Sequence, residues 1–217
     1  MSRNIIIAEN CLMLDGSGDY VVTPITPGVG PLSVAVWVKR YATGGVNNDR
    51  IFDCFDGAPT NGFALRQPNG GKGFNFDVYN NGALQATPAT GDLELNRWYH
   101  IVCTFATNSV KIYVNGVQVG ATDTSCTLTQ TTSVLRIGTR LGEAASYFFG
   151  MLKDFLYYDR VLTLTEIENL YYSRTIPTTP VIYYKFNNDA LDSSGNGNNG
   201  TLTGATYGVF NSPRLSV

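Results

Sequence analysis

The sequence predicts an all-β protein, built as a two-sheet antiparallel sandwich with one short helix near 164–172, and three observations predict it. From Gly16 to Gly150 short runs of alternating apolar and polar residues are separated by clusters of Gly, Asn and Pro, without a stretch of strong 3.6-residue periodicity. The segment VKIYVNGVQVG (110–120) spells a β-hairpin: Val110, Ile112 and Val114 alternate with Lys111 and Tyr113, then Asn115-Gly116 supplies the two residues that tolerate positive φ in a type I′ turn. Charged residues make up only 15% of the 217 residues, against about 25% in an ordinary soluble domain, while Gly, Thr and Asn carry much of the polar character.

In chain order, strands are expected at 19–23, 32–40, 50–55, 62–67, 73–79, 98–106, 109–115, 117–121, 133–138 and 148–158. In 32–40, Val34, Val36 and Val38 share one face and Ala35 and Trp37 the other, so this strand is expected to be central and buried on both sides. The helix is marked by Thr163 as N-cap, Glu166 three residues later to complete a capping box, and Leu162 with Ile167 as a hydrophobic staple. Thr175-Ile176-Pro177-Thr178-Thr179-Pro180 follows, and its prolines favour an extended linker. The organisation expected is a sandwich over 1–174, a linker at 175–180 and a C-terminal strand and loop over 181–217.

The net charge of −2 arises from 15 basic and 17 acidic residues without a basic block, which argues against nucleic acid as a partner. The longest apolar run near the N-terminus, Ile5 to Ala8, is too short for a signal-peptide core or a membrane span. The expectation is therefore no membrane insertion and no export by a leader. Cys11, Cys54, Cys103 and Cys126 form no CxxC pair, and buried, reduced thiols are expected rather than disulfides or zinc.

Arg97-Trp98-Tyr99-His100, the hairpin 110–120, LMLDGSGDYVVTP (12–24), LSVAVWVKR (32–40) and GMLKDFLYYDRVLTLTEI (150–167) together resemble the laminin-G-like, concanavalin A-like jelly-roll domains, and stand in that family's usual order. VIYYKFNNDALDSSGNGNNGTLTGATY (181–207) resembles the opening strand and loop of the same family, normally found ahead of the DGSGDYV segment. A jelly roll lacking one strand leaves an open edge. Either Val181–Phe186 closes its own sandwich, the preferred reading because domain termini often lie close together, or the tail supplies a strand to a neighbouring copy.

Few residues offer catalytic chemistry. His100 is the sole histidine and lies within an apolar strand, with nothing resembling a nucleophile elbow nearby. Relatives that cleave glycosides need paired carboxylates about 5 Å apart. Among Glu9, Glu94, Glu143, Glu166 and Glu168 the one pair two residues apart lies on the helix, where side chains at i and i+2 diverge. No enzyme is expected. The resemblance raises structural Ca²⁺ as the one possible cofactor. Asp15 and Asp19 in one loop, and Asp192, Asn196 and Asn198 in another, offer the oxygen ligands that hard cations prefer, though such residues also form Asx-turns. At 152–155 the chain reads Leu152-Lys153-Asp154-Phe155, with lysine where many relatives carry the first of two acids.

Glycan recognition on such folds stacks a sugar on an exposed aromatic. Aromatics in or beside the expected loops are Tyr41, Phe74, Tyr79, Tyr147, Phe148, Tyr207 and Phe210. In FNFDVYNNG (74–82) alternation sets Asn75, Asp77 and Tyr79 on one face. Asn75, Asp77, Tyr79, Asn80 and Asn81 are therefore the candidate glycan-binding residues. The leading expectation is a non-enzymatic interaction protein on a virus or phage particle surface, located there or released without a leader, with copies of itself or other proteins as partners. The alternative is a soluble carbohydrate-binding, lectin-like adhesion domain, with Ca²⁺ as a conceivable requirement.

Overall fold

The computed structural model describes residues 9–45, 48–55, 61–129, 131, 133–142 and 146–210. Ile5–Ala8, Glu143 and the last seven residues of the expected C-terminal unit lie outside the described residues. In chain order the elements are β1 (Glu9–Asp15), β2 (Tyr20–Val22), β3 (Leu32–Arg40), β4 (Arg50–Asp53), β5 (Gly62–Arg66), β6 (Asn75–Asn80), β7 (Ala83–Ala86), β8 (Trp98–Ala106), β9 (Ser109–Val114), β10 (Val117–Asp123), β11 (Arg136–Ile137), β12 (Phe149–Tyr158), α1 (Leu164–Tyr172), β13 (Ile182–Tyr184), β14 (Thr201–Thr203) and β15 (Thr206–Phe210). Among the described residues one sheet runs β10-β9-β8-β3-β12-β1-β15, with β13 also on β12, and the other runs β14-β2-β11-β4-β5-β6-β7.

The alternation seen in the sequence becomes the sandwich. Val34, Val36 and Val38 of β3, with Ile101 and Cys103 of β8, face Phe52, Leu65 and Phe76 of the second sheet in one core. Phe52 meets Phe155 edge-on across the gap at 6.1 Å, the arrangement that aromatic quadrupoles favour. β3 is buried on both faces, because Ala35 and Trp37, on its outward side, are covered in turn.

That cover is α1. Thr163 accepts the Glu166 N–H, and the Glu166 carboxylate accepts the Thr163 N–H at 2.8 Å, so the capping box forms as the spacing requires. Ile167 and Leu170 then pack on Ala35, Val102, Tyr113, Leu156 and Tyr158. A second outward cluster holds Cys11, Trp37, Trp98 and Phe210. The β9–β10 turn places Asn115 at φ 52° and Gly116 at φ 84°, and the Asn115 side chain accepts the His100 N–H at 2.9 Å.

β12 carries a bulge between Lys153 and Leu156, with Asp154 at φ 49°. The bulge bends the strand so that its far edge takes two partners: β1 pairs with Phe149–Leu152 and β13 with Phe155–Tyr157. β14 pairs with β2 and β15 with β1, so the described part of the C-terminal segment contributes to both sheets of its own chain.

Four strands, β1, β7, β14 and β15, are additional to those expected. In β1 Cys11 and Leu12 are both buried, since each faces a different covered side, and this hides the period-2 signal. Phe74, Phe148 and Phe210, expected beside loops, are instead buried side chains. The four cysteines are free and buried. Among the described residues no helix is long and apolar enough to cross a membrane.

Candidate ligand face on the second sheet

With Phe52, Leu65, Phe76 and Ile137 pointing into the core, the neighbouring residues of β11, β4, β5 and β6 must point outward. Register aligns Arg136 with Asp53, Asp53 with Ala64 and Ala64 with Asp77, while Arg50 and Asn75 both align with Arg66. Arg50 Nε lies 2.9 Å from Asp53 Oδ2. Arg66 pairs with Asp77 and donates from Nη1 to Asn48 Oδ1 at 3.0 Å. The Arg140 guanidinium lies 5.7 Å from the centre of the Phe55 ring, and Phe55 meets Tyr79 edge-on at 5.4 Å.

Among the described residues four guanidinium groups thus share this face with two carboxylates. Burial acts against the charge on Arg50, shifting its pKa down despite the nearby Asp53. Among the described residues Arg50 Nη1 and Arg136 Nε are buried without a hydrogen-bond partner, an unusual state for charged donors. Beside them opens a cavity of about 420 Å³ lined by Tyr20, Arg136, Thr139, Arg140, Leu141, Gly142 and Tyr147.

The expected glycan residues divide. Asn75, Asp77 and Tyr79 lie on this outward face, but Asp77 is buried, accepting from Arg66 and from Thr87 Oγ1 at 2.6 Å. Asn75 donates to Thr87 at 3.1 Å. Asn80 is buried and holds a neighbouring loop, donating to Thr127 at 3.2 Å and accepting from Thr129 N–H at 3.1 Å and hydroxyl at 2.6 Å. Asn81 occupies the turn at φ 51° and its N–H reaches Asn61 at 2.9 Å. Missing from the sequence reading are Arg50, Arg66, Arg136, Arg140 and Tyr20. Their signal is faint: each strand arginine follows the outward phase of its own short run, and only pairing reveals that the runs align.

The two candidate calcium loops are each closed on themselves. Asp15 Oδ1 accepts the Ser17 N–H at 2.7 Å, and Asp19 Oδ2 accepts the Asp15 N–H at 2.9 Å. Burial raises the Asp19 pKa. Asp192 accepts the N–H groups of Tyr183, Ser194 and Asn198 at 3.0, 2.9 and 2.9 Å and the Ser194 hydroxyl at 2.7 Å. Burial pushes this carboxyl up, and those donors outweigh it, holding the pKa below the usual range. Asn196 and Asn198 donate to the Val181 carbonyl at 3.2 and 2.9 Å. Among the described residues no three His, Cys, Asp or Glu side chains gather as a metal-binding group.

The chain belongs to the concanavalin A-like lectin/glucanases superfamily, whose family model matches residues 15–168. Three solved structures show how widely the fold is shared. A heptameric SAP-like pentraxin from Limulus polyphemus matches with a TM-score of 0.66 at 16% identity, over 96% of this chain and 98% of that one. A protein from Bacteroides ovatus described as a candidate carbohydrate-binding protein matches with a TM-score of 0.71 at 16% identity, over 96% of this chain and 62% of that one. Domain 4 of an extracellular GH43 arabinanase from Geobacillus stearothermophilus, solved with arabinotriose, matches with a TM-score of 0.60 at 18% identity, over 74% of this chain and 76% of that one. No curated protein sequence is similar enough to match. At such identities the likeness is one of fold, and none of it bears on a particle-surface role.

Proposed function

We propose that the chain is a carbohydrate-binding, non-catalytic β-sandwich that takes its ligand on the outward face of the second sheet. The observation that carries this reading is the cavity of about 420 Å³ whose wall combines two tyrosines, Tyr20 and Tyr147, with two arginines, Arg136 and Arg140. A tyrosine ring offers an apolar plate and a hydroxyl to a sugar, and guanidinium groups donate in a fixed fork to hydroxyl, carboxylate or sulfate oxygens. Arg136, whose Nε has no hydrogen-bond partner among the described residues, favours sugars that carry an acid.

Binding without turnover is the simpler reading. Both aspartates of the face are engaged by arginine side chains, and on the helix Glu166 is held by Arg160 at 2.8 and 2.9 Å. The carbohydrate-binding description of one structural neighbour, and the arabinotriose held by another, support the same class.

The test is an array of neutral and acidic glycans probed with the full-length protein, with calcium and with a chelator, followed by calorimetry on hits. Acidic glycans are expected to lead, and Arg136→Gln and Tyr147→Ala each to weaken binding about tenfold or more. An empty array, or hits unaffected by both substitutions, overturns the reading. Loss of hits in chelator would revive a cation at the Asp192 loop.

A further inference from the structure

β10 ends the first sheet, with β9 as its one neighbour among the described residues. Between this hairpin and the start of α1 opens a groove of about 520 Å³. Its hairpin wall carries Lys111 and Val117, and its helix wall carries Val161, Leu164 and Glu168. Tyr172 flanks the groove, with Cε2 3.5 Å from where a β-carbon on Gly116 would stand. Val117, Tyr172 and Leu164 are 59%, 57% and 54% exposed. Among the described residues five large apolar side chains are more than half exposed, and these are three of them. Single exposed apolar residues are ordinary, whereas a gathering of them marks a contact surface.

The charges decide what such a surface fits. Lys111 and Glu168 are half-buried, and among the described residues neither has an ion-pair or hydrogen-bond partner. One wall of the groove is therefore basic and the other acidic, each beside exposed apolar side chains. A two-fold axis rising from the middle of the groove lays each wall against the opposite wall of a second copy, as an isologous contact requires. Lys111 of one copy then meets Glu168 of the other, twice over, and Val117 meets Leu164. Strand addition at this edge is disfavoured, because the pairing of β10 shifts between Val119 and Asp123, with Gly120 at φ 70°, and a bulged edge resists pairing with another chain. Side chains, not backbone, make the contact.

We propose that this groove is a self-association surface, joining two copies of the chain about a two-fold axis with Val117, Leu164 and Tyr172 at its centre and two Lys111–Glu168 pairs beside them. A contact built on so few apolar side chains gives weak, reversible association, with Kd on the order of 10–100 μM. The groove shares no lining residue with the ligand cavity of the second sheet, so either assignment can fail alone.

The test is analytical ultracentrifugation of the full-length protein from about 5 μM to about 1 mM, a range that brackets the expected Kd. The weight-average mass is expected to climb from one copy towards two, and Leu164→Glu to hold it at one. Leu164 is exposed and opens α1, where an acidic residue suits the positive end of the helix, so this variant keeps the fold. Lys111→Glu and Glu168→Lys should each weaken association about fivefold or more by setting like charges together. An equimolar mixture of those two variants should restore it, since every charge then meets its opposite, and a misfolded variant could not be rescued in this way. A single-copy mass at the highest concentration overturns the proposal. So does association that Leu164→Glu leaves intact, or a mixture that associates no better than its components.

Discussion

The outward faces of the two sheets begin from the same alternation and end differently. The first sheet's outer face is roofed by α1 and reinforced by Phe210 of β15, so its polar groups are drawn into a charge-balanced network around Lys153, Asp154, Glu9 and Arg174. On the second sheet the described outward residues include four arginines and two aspartates, and Arg50 Nη1 and Arg136 Nε are buried there without a hydrogen-bond partner. A roof makes a face structural, since buried charge must be paired. On the second sheet Arg50, Asp53 and Asp77 are buried and paired too, and it is the half-buried cavity rim of Arg136, Tyr20 and Tyr147 that stays open to a ligand.

The largest expected effect comes from removing the roof's anchor. Ile167, fully buried under the helix, should cost about 2–5 kcal/mol on substitution by Ala, measured by urea unfolding. If the loss stays under about 1 kcal/mol, the helix is not what buries the first sheet's outer face.

Next is the bulge. Asp154→Ala removes the acceptor shared by Arg174 and Tyr183 and sets a β-carbon residue without a local hydrogen bond at φ 49°. A loss of about 2–4 kcal/mol is expected. Asp154→Asn, which tolerates that backbone and keeps an acceptor, should recover a substantial part.

The third effect depends on pH. His100 is held neutral in the fold, with its pKa lowered to about 3 by burial and Arg174, whereas an unfolded histidine titrates near ~6.5. The unfolded chain therefore binds the extra proton first. Stability is fully present above pH ~6.5 and falls as pH drops, by about 2 kcal/mol between pH 7 and pH 5. His100 is the only histidine, so unfolding curves of His100→Leu should lose this slope. A wild-type curve flat over that range would mean that His100 is solvated in the fold.

The smallest effect belongs to the second sheet. Arg136→Gln removes a guanidinium with an unpartnered Nε and should change stability by only about 0.5 kcal/mol, while weakening glycan binding. A large destabilisation would show that this face, too, is held together by its charges.

Much of the fold was legible because it is local. The Asn115-Gly116 turn and the Thr163/Glu166 capping box depend on residues within a few positions of each other, and α1 spans Leu164–Tyr172 as expected. The double burial of β3 was readable from apolar residues on both of its faces. The candidate site was less legible. Alternation in β6 put Asn75, Asp77 and Tyr79 on the ligand face, yet Asp77 serves Arg66 and Thr87, while Asn80 and Asn81 hold loops. Tyr147 was visible as an aromatic beside a loop, but nothing in its own neighbourhood announces Tyr20 across the cavity.

The sequence by itself determined the strand period, the hairpin, the helix start and the family, all carried by side chains close along the chain. Only the tertiary structure decided which outward face would be roofed by the helix and which would gather the arginines of β4, β5 and β11. The contacts that decide it are distant: Lys153 reaches the Asn10 carbonyl across 143 positions and Arg174 reaches Glu9 across 165. Local propensity carries no information about such partners, because their pairing exists only once β1 has paired with β12 and the segment after α1 has closed over that sheet.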